Sequence, residues 1–102
     1  MNVRILAAAA AAMTLVAGAA AAEPVLAKLQ APLSGSSKPV AGGAVFECLG
    51  DVCAARNPAS ESAGLRGCKD LVRQVGAVSS FGPASKPLSA DELATCNTSA
   101  KH

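Results

Sequence analysis

The sequence predicts an α+β domain: a small antiparallel sheet of three to four strands with one main helix and a short C-terminal helix, stapled by disulfides. Three observations carry that expectation. Short apolar segments are separated by Gly, Pro, Ser and Asp clusters, as strands are. Between residues 65 and 75 the apolar spacing becomes that of a helix. Four cysteines lie in a chain with two phenylalanines, no Trp and no Tyr. A core that light is marginal in a small domain without cross-links.

The domain is expected to begin at Glu23. Met1 to Arg4 carries one positive charge, and Ile5 to Ala22 runs uncharged and is mostly alanine. The run closes on Ala20-Ala21-Ala22, a small-x-small cleavage site, just before Glu23-Pro24. These are the three parts of a secretory signal peptide, so 1–22 reads as a leader and 23–102 as one small domain. A transmembrane anchor competes with this reading, but the run is barely long enough to span and alanine is weakly apolar. Leu15-Val16-Ala17 starts like a lipobox, yet Gly18 stands where a cysteine is required. A periplasmic or secreted location follows as the expectation, with no membrane span after cleavage. Eight basic against seven acidic residues leave 23–102 near +1. That balance offers no concentrated basic face for nucleic acid.

Val25 to Ala31 alternates roughly and stops before Pro32, which predicts a first strand. Ser34 to Pro39 is a loop by composition. Ala44 to Cys48 predicts a second strand, Leu49-Gly50-Asp51 a turn, and Val52 to Arg56 a third strand, together a hairpin. Asn57-Pro58 has the form of a helix start, an N-cap followed by proline at the first helical position. Leu65, Cys68, Leu71, Val72 and Val75 then make one apolar stripe, with Gly76 as C-cap. Gly64 and Gly67 each weaken this helix by about 1 kcal/mol relative to alanine, so they are expected to mark close approach to the sheet. Ala77 to Phe81 predicts a fourth strand, stopped by Gly82-Pro83. Ser89-Ala90-Asp91-Glu92 is a capping box that opens the second helix, and Leu88 and Leu93 are placed for a hydrophobic staple. That helix is expected to end near Cys96-Asn97 with Asn97 as a left-handed cap, leaving Thr98 to His102 as a frayed tail.

Four cysteines allow three pairings. An exported chain meets an oxidising compartment, where disulfides persist. Facing positions on the hairpin favour Cys48–Cys53, since cross-strand partners lie within disulfide reach. Cys68 on the buried stripe and Cys96 at the end of the second helix then make the other bridge. Loop entropy assigns about 2 kcal/mol to the short loop and about 3.5 kcal/mol to the long one. A redox dithiol is the competing reading for Cys48 and Cys53. Its usual C-x-x-C spacing at a helix N-terminus is not what stands here. A four-cysteine zinc site wants two close pairs, and only one is present.

Other chemistry is thin. His102 is the single histidine and the last residue, poorly placed to hold a proton in reach of a substrate. Asp91 and Glu92 point in different directions on a helix, and Glu92 has a capping role. Glu47 and Asp51 flank the turn and make a weak cation pair. Arg66, Lys69 and Arg73 form a basic stripe at i, i+3 and i+7, with Arg56 near the helix entrance. They are a candidate anion-binding surface, blunted by Asp70. No metal and no cofactor is expected.

The stretches "AGGAVFECLGDVCAARNPASES", "CKDLVRQVGAVSSFG" and "PLSADELATCN" together resemble a family of small, exported, uncharacterised proteins of alphaproteobacteria. The shared pattern is an aromatic two before the first cysteine, a polar turn, a second cysteine, a helix with the third, and a terminal Leu-x-x-Cys-Asn. Here these are Phe46, Cys48, Cys53, Cys68 and Leu93 to Asn97, Phe46 standing where the family more often has tryptophan. The resemblance covers nearly all of the chain from Val25 onward. It implies export and a shared fold, and no activity. The expected function is thus a non-enzymatic binding or structural module of the envelope, whose partner is an envelope protein or an anionic envelope component. A thiol–disulfide protein using Cys48 and Cys53 is one alternative. A small protease inhibitor presenting Ser34–Gly43 or Gly82–Pro87 is another.

Overall fold

A computed structural model describes residues 23–59 and 61–100. The expected leader, 1–22, and His102 lie outside the described residues. Seven strands and two helices follow in the order β1 (Val25–Leu29), β2 (Ser36–Ser37), β3 (Val40–Ala41), β4 (Ala44–Val45), β5 (Glu47–Leu49), β6 (Val52–Ala55), α1 (Leu65–Val75), β7 (Val78–Gly82) and α2 (Ala90–Asn97). Five strands form one sheet in the order β2-β5-β6-β1-β7, and β3-β4 is a separate hairpin. All pairings are antiparallel. The α+β class and the disulfide staples hold, and the sheet is one or two strands larger than expected.

The extra strand is β2. A serine pair has no apolar alternation to announce it, and it is extended here because Ser36 and Ser37 pair with Leu49 and Cys48. The expected strand Ala44–Cys48 divides at Phe46. Its N-terminal part turns back on β3 and its C-terminal part joins the main sheet. Side-chain alternation runs unbroken through the division: Ala44, Phe46 and Cys48 are buried, and Val45, Glu47 and Leu49 are exposed.

The inner face of the sheet carries Val25, Ala27, Leu29, Cys48, Cys53, Ala55 and Phe81, all buried. The rings of Phe46 and Phe81 lie 6.0 Å apart at the centre of the core. α1 packs there through Cys68, Leu71 and Val72, the middle of the apolar stripe. Leu65 and Val75 are partly buried at its ends.

The helix starts at Leu65, not at Asn57-Pro58. Between Pro58 and Gly64 there is no large apolar residue to bury, so a helical turn there has nothing to pack. The segment instead folds on itself, with the Ser62 hydroxyl donating to the Ala59 carbonyl at 2.6 Å. Gly67 does mark a close approach, but to this segment: a Cβ on Gly67 would overlap the Ser62 carbonyl. A Cβ on Gly42, in the β3–β4 turn, would stand 2.7 Å from Ser62 Cα and 3.0 Å from Gly67 Cα. Three backbones thus meet at one point, and glycine is what lets them. Asp70 and Gln74 fasten the hairpin from the helix side. The Gly42 N–H donates to Asp70 Oδ2 at 3.1 Å, and Gln74 Nε2 donates to the Val40 carbonyl at 2.8 Å.

α2 opens with the expected capping box. Ser89 N–H donates to Glu92 Oε1 at 3.0 Å, and Glu92 N–H donates to Ser89 Oγ at 3.2 Å. Its C-terminus departs from expectation. Asn97 is helical, and among the described residues only glycines have positive φ. Residues 98–100 are not frayed: their N–H groups donate to the carbonyls of Thr95, Cys96 and Asn97, and Ala100 is buried. Among the described residues, no helix is long and apolar enough to cross a membrane.

Candidate functional site

Strand alternation sorts the cysteines to the inside. Cys48 and Cys53 face each other across β5 and β6 with Cα atoms 4.0 Å apart, and the two are joined. Both point into the core, at 2% and 0% exposure. Cys68 of α1 joins Cys96 of α2 with Cα atoms 5.9 Å apart, and both are fully buried. Thiol exchange needs a nucleophile to reach sulfur. Neither bridge offers that access in the folded chain, so the arrangement can cross-link but cannot meet an external thiol without opening.

The basic residues do not form one surface. Arg66, Lys69 and Arg73 line a shallow groove on α1 together with Leu65 and Asp70. Arg66 pairs with Glu61 at 3.4 Å and Arg73 with Asp70 at 3.2 Å. Arg56 belongs to the outer side of the sheet, where it stands 3.9 Å from Glu47. Glu47 and Asp51 do not meet over a cation: Asp51 pairs with Lys28 at 3.2 Å. Among the described residues no group of three or more His, Cys, Asp or Glu side chains converges on one point.

Sequence reasoning missed the outer face of the sheet. Register stacks its side chains in two rows. Leu49 lies beside Val52 and Val52 beside Lys28; Glu47 lies beside Ala54 and Ala54 beside Leu26. Val45 continues the exposed alternation from Glu47, and Val40 is its partner on β3. Leu26, Val40, Val45, Leu49 and Val52 are the exposed large hydrophobics among the described residues. Leu26, Leu49 and Val52 share the outer face of the main sheet, whereas Val40 and Val45 pair on the separate β3–β4 hairpin. Leu49 is 72% exposed. Single exposed apolar residues are ordinary on a protein surface, whereas a contiguous set rimmed by polar groups marks an interaction surface. The rim here is Glu47 with Arg56 at one end and Lys28 with Asp51 at the other. A groove of about 540 Å³ crosses the face, floored by Leu49, Val52 and Ala54 and edged by Ser36, Lys38 and Arg56. Register was the missing information: without it, residues 26, 49 and 52 cannot be seen to be neighbours.

The model of a family of unknown function, DUF8200, matches residues 6–98. The chain belongs to the DUF8200 family. The match runs through all four cysteines and Asn97, so the stapled fold falls within the DUF8200 region. No curated protein and no solved structure matches the chain.

Proposed function

We propose that this chain is a small exported, non-enzymatic binding module of the cell envelope, within an alphaproteobacterial group of the DUF8200 family, and that it engages a protein partner through the outer face of its sheet. The observation that carries the reading is the gathering of Leu26, Leu49 and Val52 on one face of the main sheet. Among the described residues, the other large hydrophobics, Val40 and Val45 of the β3–β4 hairpin apart, are buried or packed against the core. The leader at 1–22 and the paired cysteines support export, because disulfides persist outside the cytoplasm. A protein partner is favoured over an anionic envelope component, because Arg56, Arg66 and Arg73 each stand within 4 Å of a carboxylate.

Neither alternative gains support. A redox role for Cys48 and Cys53 requires an accessible bridge, and this one is buried in the core. An inhibitor requires a projecting loop. Gly42 is held down on α1, and Gly82 is closed against Pro87, with the Leu88 N–H donating to the Phe81 carbonyl at 2.9 Å.

The test is cross-linking in envelope extract with the wild-type chain and with Leu49→Asp. A cross-linked protein species that is lost with Leu49→Asp, while the variant stays folded, supports the reading. Identical cross-linking by both, or turnover of a substrate by the wild type, refutes it.

A further inference from the structure

The two edges of the main sheet are finished differently. On β7, the Asn97 side chain bonds both the N–H and the carbonyl of Val78, and the Leu88 N–H donates to the Phe81 carbonyl at 2.9 Å. On β2 the outward backbone groups are those of Ser36 and Lys38. Cys48 and Cys53, with Cα atoms 4.0 Å apart, are a close pair of the kind that exchanges no ladder hydrogen bonds. Cys48 therefore turns its N–H and carbonyl to Ser37 of β2. The Pro39 carbonyl faces the same way and accepts from the Phe46 N–H at 2.8 Å. Ser36 and Lys38, on either side of Ser37, thus direct their N–H and carbonyl groups away from the sheet. β2 ends the strand order, so among the described residues no further strand covers them. We infer that this edge takes an extended segment of a partner protein as an added antiparallel strand. That segment places an acidic side chain beside Lys38 and, two residues on, a large apolar one beside Ser36. The inference rests on the proposed binding face and specifies how its partner is held.

The backbone sets the form of the occupant and the side chains set its chemistry. A row of unpaired N–H and C=O groups is matched by another extended chain. Ser36 pairs with Leu49, so Ser36 and Lys38 stand on the outer side, where both line the groove floored by Leu49, Val52 and Ala54. Side chains of an added strand that lie opposite Ser36 and Lys38 fall on that same side. Successive strands are about 4.8 Å apart, so the residue opposite Ser36 is about 10 Å from Leu49. The small Ser36 side chain leaves that span open, and a Leu, Met or Phe closes it against Leu49, which is itself largely exposed. Lys38 enters no ion pair among the described residues, unlike Lys28 and Arg56 on the same face. An acidic residue opposite it supplies that charge with a partner. A second copy does not, because antiparallel pairing about Ser37 sets Lys38 against Ser36. Short edge strands with lysine and proline are one way in which sheets discourage pairing. Pro39 does not act on this edge, since its carbonyl and its missing N–H belong to the inner side. Lys38 acts against apolar and basic strands, and so selects acidic ones. The edge ends at Val40, whose carbonyl accepts from Gln74 Nε2 at 2.8 Å, so the added strand is short and its affinity modest.

The decisive experiment is selection from a displayed library of random short peptides against the disulfide-bonded chain. The wild type should enrich peptides with Asp or Glu followed two residues later by Leu, Met or Phe. Lys38→Glu should enrich Lys or Arg at the first of these positions and keep the apolar one. Ser36→Pro removes an outward N–H and no ladder bond, which is where proline is tolerated on an edge. It should weaken the peptide selected by the wild type about tenfold, the worth of about one hydrogen bond. Circular dichroism checks that both variants fold. A wild type that enriches no such pattern overturns the inference, as does a pattern that Lys38→Glu leaves unchanged or binding that Ser36→Pro does not weaken. Envelope cross-linking that is lost with Leu49→Asp but kept with Ser36→Pro would also overturn it, while leaving the outer face as the binding surface. Self-association of the wild type, seen by sedimentation and lost with Ser36→Pro, would overturn it by assigning the edge to a second copy.

Discussion

Asn97 closes the edge of the sheet at Val78. The Val78 N–H donates to Asn97 Oδ1 at 2.9 Å, and Asn97 Nδ2 donates to the Val78 carbonyl at 2.8 Å. The side-chain amide thus makes both hydrogen bonds that a further strand would make to that residue. An edge strand with free N–H and C=O groups is a template for unwanted pairing. One residue earlier, Cys96 ties the same helix to α1. The Cys-Asn pair at the end of α2 therefore holds the helix from two sides, by a covalent bond to α1 and by an amide clasp on β7.

Asn97→Ala should leave the Val78 N–H without a protein partner and its carbonyl with only the Gln30 side-chain amide, at 3.3 Å. A loss of about 1–3 kcal/mol is expected, from the cost of an unsatisfied buried group. Asn97→Asp keeps the acceptor for the N–H but sets a carboxylate against the Val78 carbonyl, so it should not restore the wild-type value. Denaturant unfolding of the three proteins checks the order.

The two glycines at the start of α1 should respond in opposite directions. Gly67→Ala collides with the Ser62 backbone, which other contacts hold in place. It should cost several kcal/mol, as overpacking in a closed core does. Gly64 has open space around it, φ −101°, and no side-chain hydrogen bond to the helix. Gly64→Asp should add a cap and a negative charge at the positive end of the dipole, a gain of about 0.5–1 kcal/mol. Thermal melts at matched conditions separate the two.

Removing Cys68–Cys96 should cost more than removing Cys48–Cys53. The bridges span 28 and 5 residues in sequence. Chain entropy then assigns about 3.5 kcal/mol to the first and about 2 kcal/mol to the second. Paired Cys→Ala variants, measured by urea titration, should show that difference.

Asp70 should act on the hairpin rather than on an anion. Asp70→Ala frees the Gly42 N–H, which the carboxylate now accepts. Faster hydrogen exchange at Gly42 is expected, with a loss of about 1–2 kcal/mol. Unchanged exchange would show that Gln74 alone holds the turn.

Much of this architecture is written locally, and that part is readable from sequence. Val25-Leu26-Ala27-Lys28-Leu29 alternates because one side of β1 faces the core. Leu65 to Val75 repeats at helical spacing because one stripe of α1 packs on the sheet. The Ser89–Glu92 box is a four-residue motif and forms as such. What escaped depends on neighbours distant in sequence. Ser36–Ser37 is a strand only because Leu49 and Cys48 lie beside it. Asn97 finds its partner 19 residues away, so its local preference for a left-handed cap is overridden by a pair of hydrogen bonds. The outer face appears only once register places Leu26, Ala54 and Glu47 in one row.

A binding role without thiol chemistry requires cysteines that are internal cross-links rather than reactive groups. Alkylation of the native chain under graded reductant, followed by a peptide map, tests this directly. Cys48, Cys53, Cys68 and Cys96 should all resist reduction until the fold opens, and should then label at the rate of unfolding. Labelling of Cys48 and Cys53 in the folded chain, ahead of any loss of structure, would contradict the account and make the β5–β6 hairpin a redox centre.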